Sequence, residues 1–205
     1  MPYLHHCNKI LLLPVILIGY LGGCSLAPLE PIKPTAETSQ AAAEPTMEEK
    51  AKTDFDAGLK AMESGQQTAA EEIFSAMTKT YPTYAGPWVN LGIILHRKEN
   101  FDGAETAFKK ALELNDNNPE IYNQLGYFYR DQGKFHVARE TYKQGIKKHA
   151  DYASLHRNLG ILYDMYLAQP REAIKHYQQY IKLNPGDQQV ETWTADLLQR
   201  LIRQN

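Results

Sequence analysis

Between Trp88 and Leu114 the chain reads WVNLGIILHRKENFDGAETAFKKALEL. A large aromatic opens it and Leu91-Gly92 follows three residues on. Beyond a polar break, Phe101, Ala104, Phe108, Ala111 and Leu114 return at spacings of three and four. Apolar residues at that spacing share one face of a helix. The stretch therefore reads as a pair of amphipathic helices with small residues where they meet. One such hairpin cannot bury its apolar face alone, so a chain built on it needs neighbours of the same kind.

Outward from this stretch the same landmarks recur. Gly58, Gly92, Gly126 and Gly160 are 34 residues apart each time. Twelve residues after the first three come Ala70, Ala104 and Ala138, and after Gly160 the match is Ala173, one residue late. Four beyond each alanine stands a ring: Phe74, Phe108, Tyr142 and Tyr177. Ala57, Leu91, Leu125 and Leu159 precede the glycines, and Trp88 and Tyr122 fill a large-residue position where Asp54 and His156 do not.

A period and register of this kind resemble the tetratricopeptide repeat. The resemblance covers residues 51–186 as four units, at about 51–84, 85–118, 119–152 and 153–186. It implies an all-α, right-handed superhelical solenoid of four hairpins. Glycine and alanine would let the two helices of each unit cross closely, and the rings would wedge between one unit and the next. Turn signals fall at Gly65 and Gly133 within units, and at Pro82 and Asn184-Pro185-Gly186 between them. The extra residue of the fourth unit is expected in the turn around Tyr166 to Pro170, with Pro170 at a first helical position.

Both ends of this domain, residues 47–205, look finished. Thr46 and Glu49 have capping-box spacing. Asp187 is placed to cap a last helix over 188–203, on which Val190, Trp193, Leu197, Leu198 and Leu201 share one face and the other side is polar. A solenoid needs such a polar-backed terminal helix for solubility.

The first 46 residues read as an address. One lysine, Lys9, precedes an apolar run from Ile10 to Leu21, which is 12 residues, well short of the roughly 20 that span a bilayer. The run closes on Leu21-Gly22-Gly23-Cys24-Ser25. Residues 1–23 are thus expected to be a signal peptide. The join resembles the lipobox of bacterial lipoproteins, which implies a diacylated Cys24 at the mature N-terminus. By resemblance to enterobacterial lipoproteins, Ser25 rather than Asp points to the outer membrane, with the domain facing the periplasm. Residues 24–46 carry four prolines and no helical period, as in a semi-rigid tether.

Composition excludes several classes. The 205 residues are 43% apolar and 22% charged, with a net charge of −2. Such a balance offers no basic patch for nucleic acid. The two cysteines, Cys7 and Cys24, both lie in the address, so the domain has no disulfide, thiolate metal site or cysteine nucleophile. No H-E-x-x-H pair, G-x-S-x-G elbow or phosphate-cradling loop occurs. The reading is of a protein that is not an enzyme and takes no metal or cofactor.

What remains is a surface. In tetratricopeptide folds the first helix of each hairpin lines the concave face, near its packing glycine. That implies a peptide groove of Phe55, Leu59, Met62, Val89 and Ile93 at the tether end. His96, Asn123, Tyr127, Arg130, Arg157 and Ile161 continue it. The first half is apolar, the second polar with arginines, and the apolar ladder suits either a partner or packing between hairpins. Chaperone-binding members hold a terminal carboxylate with asparagines and lysines. Aliphatics or Tyr127 stand at the matching positions here and argue against that clamp. The resemblance extends to type IV pilus pilotins, which assist secretin assembly, and to adaptor lipoproteins that dock peptidoglycan hydrolases. It implies envelope-protein partners, and such solenoids can also self-associate through end helices or groove.

Overall fold

The structure, a computed structural model, describes residues 45–203. The signal-peptide run, Cys24 and all but the end of the tether lie outside the described residues. Within them are nine α-helices and no strand. Four hairpins follow one another: α1 (Met47–Glu63) with α2 (Gln67–Thr80), α3 (Ala85–Arg97) with α4 (Phe101–Leu114), α5 (Pro119–Asp131) with α6 (Phe135–Lys148), and α7 (Ala153–Ile161) with α8 (Pro170–Leu183). The last helix, α9 (Gln188–Arg203), packs on α8. Each second helix meets the first helix of the next unit, and α5 also touches α3 and α7 directly. The product is a tetratricopeptide solenoid in which the first helices line one side.

Helix starts follow their local chemistry. Thr46 accepts from the Glu49 N–H at 3.2 Å while its own N–H donates to the Glu49 carboxylate at 2.7 Å, a complete capping box. Asn100 and Asn118 cap α4 and α5, and Pro119 and Pro170 open α5 and α8, where a missing N–H costs nothing. Asp187 accepts from the Val190 N–H at 3.3 Å at the start of α9.

The glycine period has a further physical cause besides close helix crossing. Each ring lies on the glycine of its own hairpin. A methyl built on Gly58 would stand 2.6 Å from Phe74, and one on Gly92 2.8 Å from Phe108, with Tyr142 and Tyr177 equally tight on Gly126 and Gly160. The glycine makes room for the ring, and the ring fills the space between the two helices. The rings also reach the next element, as where Phe108 meets Phe128 at 5.7 Å and Tyr177 meets Trp193 at 5.9 Å between centroids.

The extra residue of the fourth unit is also not in the turn. Helix α7 runs on into a π turn, Leu162–Tyr166, closed by the Leu167 N–H on the Leu162 carbonyl. Widening one helical turn absorbs a residue without breaking the bonded ladder. The chain then reverses at Ala168, whose φ is +50°, the place held by Gly65 and Gly133 in the first and third units. Glu99 holds that place in the second unit, with φ +60°.

Packing falls into two cores. A smaller one joins Ala51, Phe74, Met77 and Tyr81 of the first hairpin to Leu91 and Ile94. The larger runs unbroken from Val89 through Phe108, Phe128, Tyr142 and Leu159 to Val190 and Leu197. On α9, Val190 and Leu197 are buried and Trp193 half-buried. Leu198, expected on the same face, is 41% exposed, and Thr194 is buried in its stead.

Candidate functional site

The first helices present two different surfaces. At the α1 end the apolar groove positions are largely taken up by packing. Val89 is buried, and Phe55, Leu59 and Met62 lie against the first core. Phe55 meets the Phe74 ring edge-on at 5.6 Å and covers Gly86. Its free edge borders a hollow of about 430 Å³ with Ala51, Met77 and Tyr84. Ile93 and Ile161 are half-buried against the larger core. The apolar ladder therefore holds hairpins together more than it offers a surface.

Across α3, α5 and α7 the surface opens into a cleft of about 560 Å³. His96 forms one wall, paired with Asp131 of the next unit at 2.8 Å, and Tyr127 stands at the rim, 41% exposed. At the floor Asn158 donates to the Asn123 side-chain oxygen at 2.7 Å, tying α7 to α5. Asn123 is 9% exposed, so its polar atoms need such a partner. Two of these residues, Asp131 and Asn158, fall outside the eleven groove residues read from the sequence. They join it through contacts 35 residues apart, one more than the repeat.

Beyond the cleft lie the two arginines. The Arg130 guanidinium sits 5.0 Å from the Tyr127 ring centroid and 5.9 Å from that of Tyr166. The π turn delivers Tyr166 there, where it also meets Phe135 at 4.9 Å. Arg157 lies 5.6 Å from the Trp193 ring of α9. Neither arginine has an ion-pair partner among the described residues. Of the acids around them, Asp131 is paired with His96, Asp164 with Arg200 at 3.7 Å, and Asp187, which feels the charge of Arg157, accepts from the Tyr180 hydroxyl. Arg130 Nη1 and the Tyr142 hydroxyl are buried without a hydrogen-bond partner, and burial pushes the Tyr142 phenol well above its ordinary range.

Two further groups are fixed by packing. His156 donates from Nε2 to the Ala150 carbonyl at 3.1 Å, so its Nδ1 must accept from His176 Nδ1–H, also at 3.1 Å. His176 stacks on Tyr163, and burial together with its neighbour His156 lowers its pKa to about 4. Glu105 receives Lys109, Lys134 and the Tyr129 hydroxyl, which hold its carboxyl at about 2. Both clusters tie helices together, and none of their residues lines the cleft. No group of three or more metal-ligating side chains occurs among the described residues, and no helix there is long and apolar enough to cross a membrane.

Comparison with known proteins agrees with this architecture. Descriptions of the tetratricopeptide repeat match residues 85–118, 107–140 and 158–187. Among solved structures, one reported under the functional characterization of Pseudomonas aeruginosa pilF is 19% identical with a TM-score of 0.70, covering 76% of this chain and 71% of that one. YrrB, described as a tetratricopeptide protein with an unusual peptide-binding site, is 19% identical with a TM-score of 0.59, covering 71% and 74%. MamA 41-end from Desulfovibrio magneticus RS-1 is 19% identical with a TM-score of 0.63, covering 76% and 87%. The mouse protein O-mannosyl-transferase TMTC3 is 28% identical over 106 residues, 48% of this chain but only 11% of the mouse protein. So small a share carries none of the transferase's chemistry across.

Proposed function

From a chain that carries tetratricopeptide repeats and folds as their solenoid, we propose an adaptor lipoprotein that binds other envelope proteins and catalyses nothing. Cys24 carries its lipid at the outer membrane, the Pro-rich tether holds the repeats off the bilayer on the periplasmic side, and the inner helices face the partner. The observation that carries the binding half is the open cleft over α3, α5 and α7. A solenoid with every groove position packed would offer its partners only a convex surface. The anchoring half stands on Leu21 to Cys24 alone. Likeness of fold to the pilF structure favours service to a pilus or its secretin. A scaffold for peptidoglycan hydrolases or another envelope transport complex uses the same parts.

A self-assembling lipoprotein is the second reading. The exposed Leu198 and Ile202 of α9, the latter 75% exposed, favour it.

One experiment tests both halves: Cys24→Ala and wild type are fractionated, and membrane partners are captured on the full chain and identified by mass spectrometry. The variant should leave the membrane fraction or persist as precursor, and wild type should recover envelope proteins. Normal processing and fractionation of Cys24→Ala would overturn the lipoprotein reading. Recovery of only further copies of the chain would favour self-assembly.

A further inference from the structure

The geometry points to a site for acidic side chains of a protein partner on the half of the inner face formed by α5 and α7, with Arg130 and Arg157 as its anion-binding groups. The inference rests on that inner face being where partners bind, and it names their chemistry. An arginine drawn partly out of water is ordinarily neutralised by a carboxylate. Arg139, another half-buried arginine of the domain, follows that habit on Glu140 at 2.9 Å. Arg130 and Arg157 are instead held by rings. An aromatic face steadies a cation without cancelling its charge, so each guanidinium stays in place with no ion pair of its own, although Asp187 feels the charge of Arg157.

Two further observations converge on the spot. The Tyr142 side chain is wholly buried, yet its hydroxyl has no partner, and it feels the charge of Arg130. Two unsatisfied polar groups at one end of the inner face mark it as short of hydrogen-bond acceptors. The π turn is the second. It departs from the repeat at the segment that brings Tyr166 over Arg130, and such departures recur at functional sites. Beside it a hollow of about 440 Å³, walled by Met165, Tyr177 and Trp193, can take the aliphatic part of a partner side chain.

Carboxylates suit the site better than a phosphate surface does. Asp131 follows Arg130 in the chain, Asp164 acts on the same Tyr177 phenol as both arginines, Asp187 feels Arg157, and the whole chain is weakly acidic at −2. A dianion or a membrane of phospholipids would meet those acids as well as the two cations. Planar carboxylates taken singly by a guanidinium fork need no larger field.

The test uses the full chain in detergent and two fluorescein-labelled probes, decaglutamate and decaglutamine, followed by anisotropy at low and physiological salt. Decaglutamate should bind and weaken with salt, and decaglutamine should bind at least about tenfold less. Arg130→Glu with Arg157→Glu should abolish decaglutamate binding, whereas Arg171→Glu with Lys182→Glu, the same charge change on exposed positions of α8, should not. Arg157→Gln, a single neutral change, should lose about tenfold and covers the case in which the double variant does not fold. Equal binding of the two probes would overturn the site, as would equal loss in both double variants, or phosphatidylglycerol added to the same detergent micelles outcompeting decaglutamate. Decaglutamate binding with no envelope protein captured would leave the site standing and remove its proposed role.

Discussion

The first hairpin and the three that follow are built from the same repeat but spend their inner face differently. In the first, Phe55, Leu59 and Met62 turn into a small core of their own, shared only with Leu91 and Ile94 of the second hairpin. In the others the larger core is continuous, and the inner face is left to Asn123, Tyr127, Arg130 and Arg157. Apolar side chains at groove positions bind the solenoid to itself, and polar ones survive there only when bonded across a repeat or held on a ring. A hairpin with a neighbour on one side only among the described residues has the stronger need to use its inner face for stability.

The largest effect that would break this comparison comes from the rings. Phe74 and Phe108 occupy equivalent places, each fully buried on its glycine. Replacing either by alanine removes a buried ring, worth about 3–5 kcal/mol. Phe108→Ala should lower the melting temperature of the whole domain, because its core runs on to α9. Phe74→Ala should act locally: hydrogen exchange should speed up through α1 and α2 while α5 to α8 keep their protection. Equal loss of protection everywhere in both variants would show a single cooperative core.

How far this division could be read from the sequence turns on spacing. The period of 34, the rings and the caps at Thr46 and Asp187 are properties of one unit or one turn, so the residues alone carry them. What binds one unit to the next depends on the angle between neighbouring first helices. That angle shifts the facing residue from i+34 to i+35, as in His96–Asp131 and Asn123–Asn158. Pairing the inner helices at that offset would have exposed both contacts. The seat of Arg130 lay deeper, because Tyr166 reaches it only through a π turn, and one extra residue does not say which helical turn will widen. The His156–His176 contact was equally hidden, since it crosses within a unit between the first helix and the second.

Acid gives an intermediate effect and should weaken the fourth hairpin first. His176 has a folded pKa of about 4 against an ordinary 6.5. Between those values the unfolded chain takes up a proton that the folded one refuses, so stability is full above the window and falls as pH drops through it. Burial is the main cause, His156 and Lys175 add to it, and Glu172 opposes it. A proton on His156 would also set two N–H groups against each other across the pair. Melting from pH 7 to pH 4.5 should therefore show a slope that His176→Gln reduces, with early loss of exchange protection in α7 and α8. An unchanged slope in the variant would locate the acid sensitivity elsewhere.

The smallest effect concerns the reversals between helices. Four residues do the same job: Gly65, Glu99, Gly133 and Ala168, all with positive φ. Glycine meets that conformation without strain, whereas an L side chain there pays roughly 1 kcal/mol. The first hairpin reverses on glycine, while Glu99 borders the open cleft and Ala168 ends the π turn that carries Tyr166. Strain is thus tolerated where the inner face is open. Glu99→Gly should relieve it, although the freer unfolded chain takes back part of the gain. A net stabilisation of about 0.5 kcal/mol is expected by chemical denaturation. Gly133→Glu should cost about 1 kcal/mol by the reverse argument. Glu99 carries no ion pair among the described residues whose loss would mask the gain. A destabilised Glu99→Gly would mean that the side chain contributes to the cleft more than its backbone costs, and the first hairpin's Gly65 would then be the plain case and Glu99 the specialised one.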